Sequence, residues 1–308
     1  MTAAHLVRLA NEALEAGDPA TAADRLVEAA GVHGQSGDQR GRATLLTQAS
    51  LLLRVVDRPD DAASAARAAW DTGADVVTRR AAAVELAEVA RSKGDPDTAT
   101  AWLYRALPAA DDPDPVGRAR VLVRLANLEA AAGRFTAAVR ACEEAVEALD
   151  GSDEATRVRL ELSGALLGAG HPGRATDVLD QAMTATDDPA VLAEGHLVAL
   201  AIALRQHDGV RARASAASAR AEALRAGAAV PYLAAAAAQA DLADSAGDLV
   251  GAYESLAKAW VTLGDLLGRE VGRAMVHPLL LDLRSRWGTE AFAQAKAAYE
   301  QRRRQPTS

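Results

Sequence analysis

Short polar turns interrupt the apolar pattern of this chain at nearly constant intervals. They are Gly17-Asp18-Pro19, Asp57-Arg58-Pro59, Gly94-Asp95-Pro96, Gly133-Arg134-Phe135, Gly170-His171-Pro172, His207-Asp208-Gly209 and Gly247-Asp248-Leu249, spaced by 40, 37, 39, 37, 37 and 40 residues. Five residues beyond the first residue of each turn stand Ala22, Ala62, Ala99, Ala138, Ala175, Ala212 and Ala252. Twelve residues beyond it stand Ala29, Ala69, Ala106, Ala145, Ala182, Ala219 and Ala259. Seven residues are two helical turns, so both alanine columns face one way. Leu26, Ala66, Leu103, Cys142, Leu179, Ala216 and Leu256 lie between them on the same stripe.

Upstream of each turn runs a second apolar stripe. It includes a mostly small column: Ala10, Ser50, Ala87, Ala126, Ser163, Leu200 and Ala240. Each unit therefore reads as helix A, a tight turn and helix B. Glycine suits the left-handed end of a helix, Asp18 and Asp95 the next N-cap, and Pro19 and Pro96 the first helical turn. Longer polar connections are expected between units, at Gly31 to Gly41, Pro108 to Gly117 and Thr186 to Pro189. A self-similar period of this length predicts a repeat architecture.

Composition sharpens this picture. Alanine fills 77 of 308 positions, whereas Trp, Tyr and Phe together fill 10. Alanine is the strongest helix former and lets helices approach closely. Half the residues are hydrophobic and there is a single cysteine, which excludes a disordered chain and a disulfide-stapled domain.

In order, Gly94, Ala99, Leu103 and Ala106, like Gly133, Ala138, Cys142 and Ala145, resemble the tetratricopeptide repeat (TPR) family. The resemblance covers about residues 3 to 264. The period is longer than the family's, and the large aromatics are mostly missing. It is similar to the long-period type found in stand-alone actinobacterial proteins and in the helical-repeat region of LuxR-type ATPase regulators. The resemblance implies an all-α, right-handed solenoid of about seven helix-turn-helix repeats. Residues 1–264 would form the superhelix. Residues 265–308 would form a C-terminal helical cap with a basic tail, in which Pro278 kinks a helix or starts one. Thr289 would cap a last helix bearing Phe292, Ala295 and Tyr299 on one face. A partner-docking or dimerisation role is the alternative reading of this segment, so a homodimer is one expectation.

The net charge is −8 but uneven: residues 269–308 carry eight Lys or Arg against four Asp or Glu, and the rest is strongly acidic. An acidic body argues against direct nucleic-acid binding. The start of the sequence has no basic, then apolar, leader pattern, and the longest apolar run, Leu197 to Leu204, is too short to span a membrane. A cytoplasmic location is expected, without membrane contact.

Candidate chemistry is sparse. His5, His33, His171, His196, His207 and His277 share no metal-ligand spacing, and Cys142 sits in a core column. No catalytic residue, metal or cofactor is expected, so the chain reads as a non-enzyme. The run Asp111 to Pro115 lacks the glycine and distal glutamate of a calcium loop. Trp70, Trp102 and Trp260 read as packing residues. The family resemblance places ligand-facing positions on helix A. There, Val7, Asn11, Gln48, Ala81 and Glu85 do not reproduce the family's carboxylate clamp, with only Asn11 matching. Arg120, Arg124 and Asn127 in the fourth unit, with Arg157 and Glu161 in the fifth, are the candidate partner-binding residues. They suit an acidic or C-terminal carboxylate group, since guanidinium binds carboxylate bidentately. Internal pairing with Glu85, Glu88, Glu161 or Glu194 is the competing reading. The expected function is a protein- or peptide-binding scaffold. The alternative is a ligand-sensing regulatory module acting in trans on a transcription factor or signalling ATPase.

Overall fold

The computed structural model describes residues 1–107, 114–149 and 152–304. The described residues are overwhelmingly α-helical, with no strand among them. The chain forms two compact units, Met1–Gly151 and Ser152–Ser308.

The first unit holds four helix pairs: α1 (Ala3–Glu15) with α2 (Pro19–Gln35), α3 (Gln39–Val55) with α4 (Pro59–Asp71), α5 (Val76–Ser92) with α6 (Pro96–Ala106), and α7 (Pro115–Ala131) with α8 (Phe135–Ala148). The second holds three: α9 (Asp153–Gly168) with α10 (Pro172–Thr184), α11 (Pro189–Arg205) with α12 (Gly209–Arg225), and α13 (Ala229–Ser245) with α14 (Leu249–Leu267). A long C-terminal element, α15 (Arg269–Arg304), follows. Within each unit, every helix packs on the next. The seven helix pairs expected from the turn spacing are all present.

The turns explain the regularity. The first residue of every one is left-handed, with φ between 57° and 84°. Five are glycine, and Asp57 and His207 adopt the same conformation despite carrying a Cβ. The following amide then reaches back to the carbonyl five residues earlier, as in Asp18 to Ala13 (2.8 Å), Arg134 to Glu129 (2.8 Å) and Asp248 to Ala243 (2.9 Å). This is the Schellman closure that satisfies the orphan carbonyls of a helix end. Aspartate side chains then cap the next helix: Asp18 accepts from the Thr21 amide, Asp95 from Thr98 and Asp248 from Gly251.

The two alanine columns form the seam between paired helices. All fourteen residues are buried, and thirteen have no accessible surface. The upstream small column is buried too, from Ala10 to Ala240. Twice it adds a polar tie. Ser50 Oγ donates to the Ala62 carbonyl at 2.9 Å, and Ser163 Oγ to the Ala175 carbonyl at 2.7 Å. Both bonds run from helix A to the first alanine column of helix B, and the small residues on both faces allow that approach.

Two expectations need correction. Gly31 to Gly41 is not an extended connection: α2 continues through Gly31 and Gly34, and only Ser36–Asp38 separate it from α3. The chain turns at Gly37, whose φ is +79°, so the break sits where the backbone becomes left-handed, not at every glycine. Pro278 does not start a helix: it lies inside α15, whose interior non-helical residue is Gly288 (φ 81°, ψ 165°). Pro278 is exposed, as is Ala274 four residues earlier, so the carbonyl bond that proline forfeits lies on the solvent side. Thr289 opens the arm after Gly288, and its hydroxyl accepts from Arg284 at 3.5 Å. The Thr186 to Pro189 connection is present between α10 and α11. Of the Pro108 to Gly117 connection, residues 108–113 lie outside the described residues.

Candidate functional site

In the first unit, helices A of the second, third and fourth pairs share a charge ladder. Arg54 of α3 pairs with Glu85 of α5 at 3.6 Å, and Glu88 of α5 pairs with Arg124 of α7 at 2.7 Å. Arg91, one turn after Glu88, donates to the same carboxylate at 2.8 Å. Burial pushes the Glu88 carboxyl upward, but the Arg91 hydrogen bond and the charges of Arg91, Arg124 and Arg54 outweigh it and hold it low. Glu85 differs: burial dominates over the Arg54 charge and raises it.

Arg124 and Asn127 do come together, since both line a hollow of about 350 Å³ with Glu88 and Arg91. They project from the exposed side of α7 toward α5, as their spacing of three predicts. Arg120 lies exposed one turn earlier on α7 and does not line that hollow. Arg157 and Glu161 belong to the second unit. Arg157 is exposed at the start of α9 and pairs with Asp188, the N-cap of α11, at 3.5 Å. Both line a separate hollow of about 500 Å³. Glu161 is half-buried one turn along α9. Internal pairing, the competing reading, therefore holds for Arg124 with Glu88, whereas Arg157 pairs with an N-cap aspartate that the groove register did not single out.

Among the described residues, no group of three or more His, Cys, Asp or Glu side chains could hold a metal ion. Cys142 is buried at 1% exposure in its core column. Of the Asp111 to Pro115 run, Asp111 to Pro113 lie outside the described residues, and Asp114 is the N-cap of α7. Among the described residues, no helix is long and apolar enough to cross a membrane. Trp70 and Trp102 pack edge to face at 5.5 Å, with Arg67 and Arg105 stacked over the Trp102 ring.

No family model matches the chain, and no curated protein does. Solved structures do match. A tetratricopeptide repeat protein from Parabacteroides merdae superposes with a TM-score of 0.61 at 13% identity, covering 90% of this chain and 98% of its own. The apo form of RapI gives 0.60 at 10% identity, over 90% and 99%. BtubC from P. vanneervenii gives 0.55 at 18%, over 70% and 92%. The fold is TPR-like. At such identities the likeness concerns the path of the backbone, and this TPR-like chain reaches it with alanine where larger side chains could serve.

Sequence reasoning missed one group of residues. Trp260, read as packing, also lines a cavity of the second unit, with Tyr253, His277, Phe292 and Tyr299. The common face of Phe292 and Tyr299 was visible in the helical spacing. Its meeting with α14 depends on the reversals at Gly268 and Gly288, which periodicity does not encode.

Proposed function

We propose that this chain is a non-enzymatic scaffold that binds a protein or peptide partner through its helix-A faces, with Arg120, Arg124 and Asn127 as contacts in the first unit. Arg157 and Glu161 are the corresponding candidates in the second. The observation that carries this reading is the hollow between α5 and α7. Its mouth presents the exposed Arg124 and Asn127, and the Arg124 charge is held by a carboxylate on another helix, Glu88. An incoming carboxylate, from an acidic side chain or a peptide C-terminus, has the chemistry to take over the place of Glu88 on that guanidinium. The TPR-like neighbours support the same reading, since stacked helix pairs expose extended faces suited to binding. Few aromatic side chains line this face, so recognition rests on Arg and Asn rather than on aromatic anchors.

Capture of partners from the native host with the wild-type protein and with Arg120→Glu/Arg124→Glu tests the reading. The expected result is a polypeptide retained by the wild type and lost by the variant, with calorimetry of the purified pair showing the same loss. Retention of every captured polypeptide by a folded variant removes these residues from recognition.

A further inference from the structure

The C-terminal end of the second unit contains a built cavity of about 590 Å³, a size typical of small-molecule sites. Three elements line it: α14 and the two arms of α15, residues 269–287 and 289–304. The first arm is firmly seated. Gly272 comes so close to α14 that a Cβ there would lie 2.5 Å from the Gly264 nitrogen. At the bend, Arg286 donates to Asp244 of α13 at 2.7 Å, and the Trp287 indole donates to the same carboxylate at 2.7 Å.

The wall chemistry is unlike the rest of the molecule. Four of the ten aromatic residues in the chain line this one cavity: Tyr253, Trp260, Phe292 and Tyr299. Tyr253 meets Phe292 edge to face at 5.4 Å and Tyr299 at 5.7 Å, and all four rings are only half-buried. The seams within the seven helix pairs are lined by the alanine columns, and the other tryptophan pair, Trp70 with Trp102, lies in the first unit. The rim is cationic. Arg284, Lys296, Arg303 and Arg304 line it against one carboxylate, Glu300, which reaches Lys296 only at 4.0 Å. This positive cluster lies on a chain of net charge −8.

We propose that this cavity binds a small amphipathic anion. Its flat apolar body would lodge against Trp260, Tyr253 and Phe292, and its carboxylate, sulfonate or phosphate would face Lys296, Arg303 and Arg304. The apolar walls supply the area term and the guanidinium groups the charge-assisted hydrogen bonds. A volume of about 590 Å³ is on the scale of a small molecule. The site goes beyond the scaffold reading and depends on none of its residues. If occupied, it would make the chain a ligand-responsive module as well as a scaffold.

Two fluorescent probes of nearly equal shape test this: 8-anilinonaphthalene-1-sulfonate, an anion, and N-phenyl-1-naphthylamine, its uncharged analogue. The wild type is expected to bind the anion saturably at one site, and more tightly than the analogue. Arg303→Glu/Arg304→Glu lies on exposed side chains and should leave thermal unfolding unchanged. It should weaken the anion by about tenfold, the scale of a lost charge-assisted contact, and leave the analogue nearly unaffected. Trp260→Leu should weaken both probes. Non-saturable binding, equal affinity for the two probes, or an unchanged anion affinity in the double-arginine variant would overturn the proposal. So would a dimer in sedimentation that excludes the anion, since the occupant would then be a second copy of the chain.

Discussion

The guanidinium of Arg80 on α5 donates to both the backbone carbonyl and the carboxylate of Asp114, each at 3.0 Å. Asp114 is in turn the N-cap of α7, accepting from the Gly117 amide. One arginine thus fixes where the next helix A begins. The relationship recurs in weaker form: Arg40 meets Asp75, the cap of α5, at 3.1 Å, and Arg157 meets Asp188, the cap of α11, at 3.5 Å. Arg80 is the buried member, at 5% exposure, and its Nε also reaches the Ala106 carbonyl at 3.4 Å. Arg80→Ala leaves these acceptors without their donor and should cost about 2–3 kcal/mol, read as a lower urea midpoint. Arg40→Ala, on an exposed pair, should cost less than about 1 kcal/mol. Equal effects of the two substitutions would contradict this account.

The alanine seam makes a prediction about volume. Ala175 is fully buried and accepts through its carbonyl from Ser163. Ala175→Leu forces the paired helices apart and should cost about 1–3 kcal/mol or more, whereas Ser163→Ala removes one hydrogen bond and should cost about 1 kcal/mol. Thermal unfolding of the two single variants measures the difference. A leucine tolerated at no cost would show that close helix approach is not what the column secures.

His207 carries a side chain at φ 57°, where five of the other six turns use glycine. His207→Gly relieves a left-handed strain of about 1 kcal/mol and returns part of it as unfolded-state entropy. A net gain of about 0.5 kcal/mol is expected, and a lower melting temperature would speak against it.

The capping carboxylates set the acid limb of stability. Hydrogen bonds from Thr21, Gly41, Thr78 and Thr98 hold Asp18, Asp38, Asp75 and Asp95 below their ordinary value of 3.8. Depressed acids bind fewer protons folded than unfolded, so their contribution is present above 3.8 and disappears as pH falls through the folded values. Glu85 has the opposite sign. Burial raises it above 4.5, so its contribution is lost as pH rises from 4.5 through the raised value. Urea midpoints between pH 7 and pH 2 should therefore fall less steeply for a variant with all four aspartates changed to asparagine, which also caps well. An identical acid slope would refute the assignment.

Gly272 predicts a local failure. Gly272→Ala places a methyl against the backbone of Leu263 and Gly264, which cannot give way as a side chain can. The substitution should loosen the α14–α15 packing by about 1–3 kcal/mol, seen as faster amide exchange in 269–304. Unchanged protection there would show that the two helices tolerate a wider spacing.

Much of this molecule was legible in its sequence. Turn residues, cap residues and two alanine columns are local or periodic signals, so they determined the helix pairs, their boundaries and which faces meet. Even the turns that begin without glycine, at Asp57 and His207, were legible from their polar turn residues and their spacing. The extension of α2 through Gly31 escaped because glycine lowers helix propensity without forbidding a helix. The partners of Arg124, Arg157 and Arg80 were decided only in three dimensions. Each pairs with a carboxylate 31 to 36 residues away, and long flexible side chains select among several acids within reach. The aromatic cavity belongs to the same category. Its rings are separated in sequence and converge because two left-handed glycines, Gly268 and Gly288, reverse the chain around α14. Periodicity specifies which face of a helix is apolar, while what that face meets depends on where the chain turns back.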